Sequence, residues 1–141
     1  MPLKAIIFDW DLTLWNSWDL HLQLMQSTAD ALGMLQPTAA QVAQQYHRPF
    51  FRHLTWFFGD DEQRVVDTYM GFYHENVISV AHLYPGVLKT LEVLKNRGYR
   101  IGIFSDKRKQ FGDLEIGYAG NRPSAGLHLV SGGRETLQAR S

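Results

Sequence analysis

Leu3-Lys4-Ala5-Ile6-Ile7-Phe8 is a short apolar run, and it passes without a break into Asp9-Trp10-Asp11-Leu12-Thr13. An uninterrupted apolar stretch of this length suits a strand covered on both faces, as in a parallel sheet. Arg100-Ile101-Gly102-Ile103-Phe104 repeats the pattern and is followed by Ser105-Asp106-Lys107. The segment before it, 84–98, reads as a turn (Tyr84-Pro85-Gly86) and a helix with Val87, Leu88, Leu91 and Leu94 on one stripe, capped by Gly98. A helix feeding a strand is the second half of a βαβ unit. The fold class is therefore α/β, with two parallel strands whose C-terminal ends share one edge, the edge that holds ligands in open α/β sheets.

Residues 17–83 separate the two strands and carry helical spacing throughout. Asn16 or Ser17 can cap a helix bearing Trp18, Leu22, Met25, Ala29 and Leu32, stopped by Gly33. Thr38 with Gln41 fits a capping box. Pro49 interrupts that helix, and the aromatic cluster Phe50, Phe51, Trp56, Phe57 and Phe58 reads as the core of the insertion, one edge available to a substrate entrance. Asp60 with Gln63 opens a longer helix through Val65, Tyr69, Tyr73 and Val77. Beyond the second strand, 110–119 reads as a helix with Phe111, Leu114 and Tyr118 on one side, and a third strand is expected near 127–130.

Composition narrows the function. The 141 residues balance 14 Lys+Arg against 14 Asp+Glu, which argues against a broad nucleic-acid or anionic-membrane surface. Cysteine is absent, excluding a disulfide scaffold, a thiolate zinc site and a thiol nucleophile. No run approaches the roughly 18 apolar residues of a membrane span, and Asp9 and Asp11 interrupt the N-terminal apolar stretch before it could serve as a secretion signal. A cytoplasmic protein is the expectation, with no nucleic-acid and no membrane partner. The six histidines show no tight metal-ligand spacing and most of them read as helix-surface residues; no nucleotide-binding glycine loop occurs.

The chemistry concentrates at the strand ends. In extended backbone, residues i and i+2 face the same side, so Asp9 and Asp11 would project together with Trp10 turned away. Two adjacent carboxylates repel unless a hard cation lies between them or one is protonated; a solvated acidic turn is the plain alternative. Ser105 would bring a hydroxyl and backbone N–H groups to the same edge, suited to a phosphate oxygen, or would simply cap the next helix.

The pieces IIFDWDLTLWNS and YPGVLKTLEVLKNRGYRIGIFSDK, with the helical insertion between them, resemble the haloacid dehalogenase superfamily, in particular its phosphatase branch with a helical cap. The first motif matches at Asp9, Asp11 and Thr13, the second at Ser105. The resemblance implies a Rossmann-like core from 1–16 and 84–141 and a cap at 17–83. It implies Asp9 as nucleophile, Asp11 as general acid/base, and Mg²⁺ held by the Asp9 carboxylate and the Asp11 carbonyl. Thr13, Ser105 and Lys107 would bind substrate or order the site, and the substrate would be a small phosphorylated metabolite.

Two further elements of the family, a phosphate-neutralising Lys and a later metal-binding acid, have no complete counterpart. Only seven residues lie between Ser105 and Asp113, too few for a crossover of about 10–12 residues, so Asp113 belongs to the following helix. Arg122-Pro123 and Glu135 are fainter echoes, and Lys107 and Lys109 are alternative cations. The core is thus expected to be truncated at its C-terminal side, with a catalytically defective binding or regulatory module as the alternative function. With only two or three strands, the sheet would keep an open edge, so self-association through that edge is expected.

Overall fold

A computed structural model of the protein describes residues 4–59, 61–120 and 128–131. The chain divides into two compact units, Met1–Asn16 with His82–Ser141, and Ser17–Ala81. Arg122-Pro123 and Glu135 lie outside the described residues, as do the first three residues and Asp60.

The first unit holds a three-stranded sheet of β1 (Ala5–Phe8), β4 (Arg100–Ser105) and β5 (His128–Ser131) in the order β1-β4-β5. Both pairings are parallel, with Phe8 opposite Ile103 and Ser105 opposite Ser131. Helices α5 (Val87–Asn96) and α6 (Lys109–Gly120) precede and follow β4. The sharp end of α5 is a Schellman closure: Gly98, at φ 85°, donates to the Lys95 carbonyl, and Tyr99 to that of Leu94. Gly33 ends α1 (Trp18–Ala31) in the same way.

The apolar runs led one to expect cover on both faces of the sheet, but among the described residues only one face is covered. In β4, Ile101, Ile103 and Ser105 are buried while Phe104 is 55% exposed, and in β1 Ile7 is 67% exposed. The topology supplies the reason. Two right-handed crossovers stepping the same way along a sheet set both helices on one face. Covering the second face takes strands added in the opposite direction, as in a doubly wound sheet, and the described residues contain none. A second departure is the antiparallel pair β2 (Trp15–Asn16) and β3 (His82–Leu83), which joins the segments where the chain leaves and re-enters this unit. Elements of two residues carry no periodicity to read.

The buried face of α6 is not the one that carries Leu114 and Tyr118. Gly112, Glu115, Ile116 and Ala119 are buried, whereas Leu114 is 40% and Tyr118 47% exposed. The two faces have the same helical spacing, and the bulkier one faces out.

The second unit is entirely helical: α1, α2 (Ala39–Gln45), α3 (Phe50–Phe58) and α4 (Glu62–Val80). The capping box at Thr38 and Gln41 forms as read from sequence. Helix α4 is capped by Asp61, which accepts from the Arg64 N–H. Its Val65, Tyr69, Tyr73 and Val77 are buried, as are Leu20, Leu24 and Met25 of α1. The aromatic segment does not turn inward as a whole: Leu54 and Phe58 are buried, but Trp56 is 52% exposed beneath the Arg48 guanidinium. Two of the histidines, His21 and His53, are buried and bonded to each other, and His21 also meets the Tyr69 hydroxyl.

Candidate active site

The backbone turns abruptly where β1 ends. The Trp10 carbonyl accepts from the N–H groups of Thr13, Leu14 and Trp15, and the Leu12 N–H donates to Trp15. This closure holds Leu12 at φ 59°, a left-handed conformation that costs a branched residue roughly 1–2 kcal/mol. Trp10 is fully buried and stacks on Trp15 at 5.4 Å between ring centroids, while Asp9 on one side of it is exposed and Asp11 on the other is half-buried. Burial thus alternates across Asp9, Trp10 and Asp11.

Asp9 and Ser105 come together. An open depression at the C-terminal ends of β1 and β4 is lined by Ile7, Phe8, Asp9, Phe104, Ser105 and Asp106. The Asp9 Oδ1 accepts from the Trp10 N–H at 2.8 Å, which fixes the carboxylate at its root. The Ser105 Oγ accepts from the Lys107 N–H at 3.2 Å, shaping the turn after β4. That bond leaves the hydroxyl proton available as a donor.

Lys107 reaches Asp11, and its ammonium is already engaged. Nζ lies 2.8 Å from Asp11 Oδ1 and 2.9 and 2.7 Å from the two carboxylate oxygens of Glu115. Glu115 also accepts from the Trp10 indole Nε1 at 2.7 Å, and it is 1% exposed. Sequence reasoning did not single out Glu115. The available signal was an acid on the small-residue face of the helix, Gly112, Ile116 and Ala119, that follows the Ser-Asp-Lys turn.

Thr13 enters the turn through its backbone and is exposed; the side-chain partner of Asp11 is Lys107. Asp113 is exposed on α6, as its short separation from Ser105 required.

The oxygens at the end of β1 suit Mg²⁺ in kind. The Asp9 carboxylate is exposed, and the hydrogen bonds of the turn are accepted by the carbonyls of Trp10 and Trp15, leaving that of Asp11 out of the ladder. Among the described residues no three His, Cys, Asp or Glu side chains gather as ligands. A site of one carboxylate and one carbonyl still fits Mg²⁺, which commonly keeps several waters and takes further oxygens from a phosphate.

Comparison with known proteins agrees with this architecture. A phosphoglycolate phosphatase of Nitrosococcus oceani is 39% identical over 49 residues, 35% of this chain and 22% of the relative. A haloacid dehalogenase-like family hydrolase from Streptococcus pneumoniae superposes with a TM-score of 0.80 at 22% identity, over 94% of this chain and 63% of that one. A HAD family hydrolase from Deinococcus radiodurans, solved with phosphate and sodium bound, gives 0.69 at 22% identity, over 92% and 58%. The chain therefore spans under two thirds of the length of these solved relatives, and these likenesses establish its fold. The haloacid dehalogenase-like hydrolase profile matches residues 6–118, which include both strand ends and everything between them; the chain belongs to that family.

Proposed function

We propose that the protein hydrolyses a small phosphate monoester through an aspartyl-phosphate intermediate, with Mg²⁺ as cofactor, in the cytoplasm. The observation that carries this reading is the convergence of Asp9 and Ser105 on one depression at adjacent parallel strand ends, with Asp11 two residues from Asp9 and held by Lys107.

In this reading an Asp9 carboxylate oxygen attacks phosphorus. Asp11 gives a proton to the departing alkoxide as the ester P–O bond breaks. Asp11 then takes a proton from water, which attacks the same phosphorus and releases inorganic phosphate with Asp9 restored. The Ser105 hydroxyl donates to a phosphoryl oxygen, and Thr13 keeps the turn that presents Asp11. Asp9 and the Asp11 carbonyl would hold Mg²⁺, which supplies positive charge against the phosphoryl oxygens. The helical unit, Ser17–Ala81 in the structure rather than the 17–83 read from sequence because His82-Leu83 pairs with Trp15-Asn16, selects the substrate. The first substrate to assay is 2-phosphoglycolate, named for the relatives in Nitrosococcus oceani and Haemophilus influenzae.

The test is phosphate release from 2-phosphoglycolate and from p-nitrophenyl phosphate. Turnover is expected with Mg²⁺, lost with a chelator and regained on adding Mg²⁺ back; turnover indifferent to chelation contradicts the cofactor assignment. A second reading, a binding or regulatory module without turnover, is favoured by the absence of a third ligand among the described residues. It predicts phosphate binding by calorimetry and no release above the no-enzyme rate.

A further inference from the structure

Glu115 is a buried carboxylate that the proposed reaction leaves without a task. An uncompensated charge in such a position is costly. Its compensation is directed toward the strand end: both oxygens hold the Lys107 ammonium, and one also accepts from the indole of Trp10, the residue between Asp9 and Asp11. A lysine ammonium has three N–H donors. Two meet Glu115 and the third meets Asp11 Oδ1 at 2.8 Å. The charge sequence is negative, positive, negative, with the most buried member farthest from solvent: side-chain exposure rises from 0% at Glu115 through 17% at Lys107 to 25% at Asp11.

Lys107 extends from a turn, on a long stem with high rotamer entropy. Left to itself, its head would sample solvent and any nearby anion, including Asp9 or a phosphate. The buried carboxylate removes that freedom and assigns the ammonium to Asp11. We infer that Glu115 is a positioning residue of the hydrolase site, acting through Lys107 to hold the Asp11 carboxylate in the orientation from which it exchanges protons with the leaving group and water. The inference rests on the proposed phosphatase reading and adds to it a residue on α6, outside both strand-end motifs.

The experiment compares wild type, Glu115→Gln, Lys107→Met and the double variant in phosphate release from p-nitrophenyl phosphate, with circular dichroism as a check on folding. If Glu115 works through Lys107, Glu115→Gln lowers kcat at least about tenfold with KM within twofold, displaces the pH–rate profile, and costs nothing further once Lys107 is Met. Losses that multiply in the double variant, or an unchanged kcat and pH profile in folded Glu115→Gln, overturn the inference. If Glu115→Gln does not fold, Lys107→Met decides alone: a kcat and pH profile equal to wild type overturn the inference. Wild type without turnover overturns the phosphatase reading and this inference together, so the two failures are distinguishable.

Discussion

Trp10 shows how tightly chemistry and folding are tied at single residues. Its carbonyl closes the turn, its ring stacks on Trp15, and its indole N–H is one of the donors to buried Glu115. Trp10→Phe keeps most of the apolar volume but removes that donor from a carboxylate with no access to water. The expected cost is about 1–3 kcal/mol, read as a lower urea midpoint with an unchanged slope. Asp9, Asp11 and Ser105 were legible in the sequence because each follows an apolar strand by a fixed, short interval. Glu115 was not. Its importance arises from a contact with Trp10 across 105 residues, and helical periodicity does not say which face of α6 is buried.

The same contrast holds for whole elements. Helices with strong end chemistry, α2 at its capping box and α5 at Gly98, stand where the sequence put them. The open face of β1 did not announce itself, because an apolar run reports what a strand would bury and not whether anything covers it. In the helical unit, His21 and His53 form a chain whose proton positions follow from the acceptors. The Gln45 carbonyl can only accept, so His53 Nδ1 donates to it at 2.9 Å. The neutral ring then accepts at Nε2 from His21 Nε2 at 3.1 Å, and His21 Nδ1 accepts from the Tyr69 hydroxyl at 2.7 Å.

Burial lowers the His53 pKa from its ordinary value, and the nearby charges of Arg48 and His47 push the same way, outweighing the Gln45 carbonyl. Below about pH 6.5 an unfolded chain therefore binds the proton that the folded unit resists, so acid favours unfolding. The His53 contribution is fully present above that pH and is lost as the pH falls toward the depressed folded value. Thermal midpoints measured from pH 7.5 to 5 are expected to fall in wild type and to fall less in His53→Gln. An equal slope in the two proteins would remove His53 as the cause.

At the scale of the whole molecule, the chain combines a helical unit with a parallel sheet that the described helices cover on one face. We propose that a second copy of the chain meets this sheet along β1, the outer strand of the described order, where Ile7 on the uncovered face is 67% exposed. Sedimentation velocity is expected to show concentration-dependent association in wild type and a shift toward monomer in Ile7→Lys, since a charge there opposes pairing. A wild-type chain that stays monomeric across the accessible concentrations contradicts it.

The catalytic account as a whole depends on Asp9 forming a bond to phosphorus, and the most direct measurement is steady-state phosphate release by Asp9→Asn beside wild type with saturating Mg²⁺. An amide cannot act as the nucleophile, so the account predicts a fall in kcat of at least about 10³-fold, to the no-enzyme rate within error, in a protein that remains folded. Turnover by folded Asp9→Asn within tenfold of wild type would contradict it.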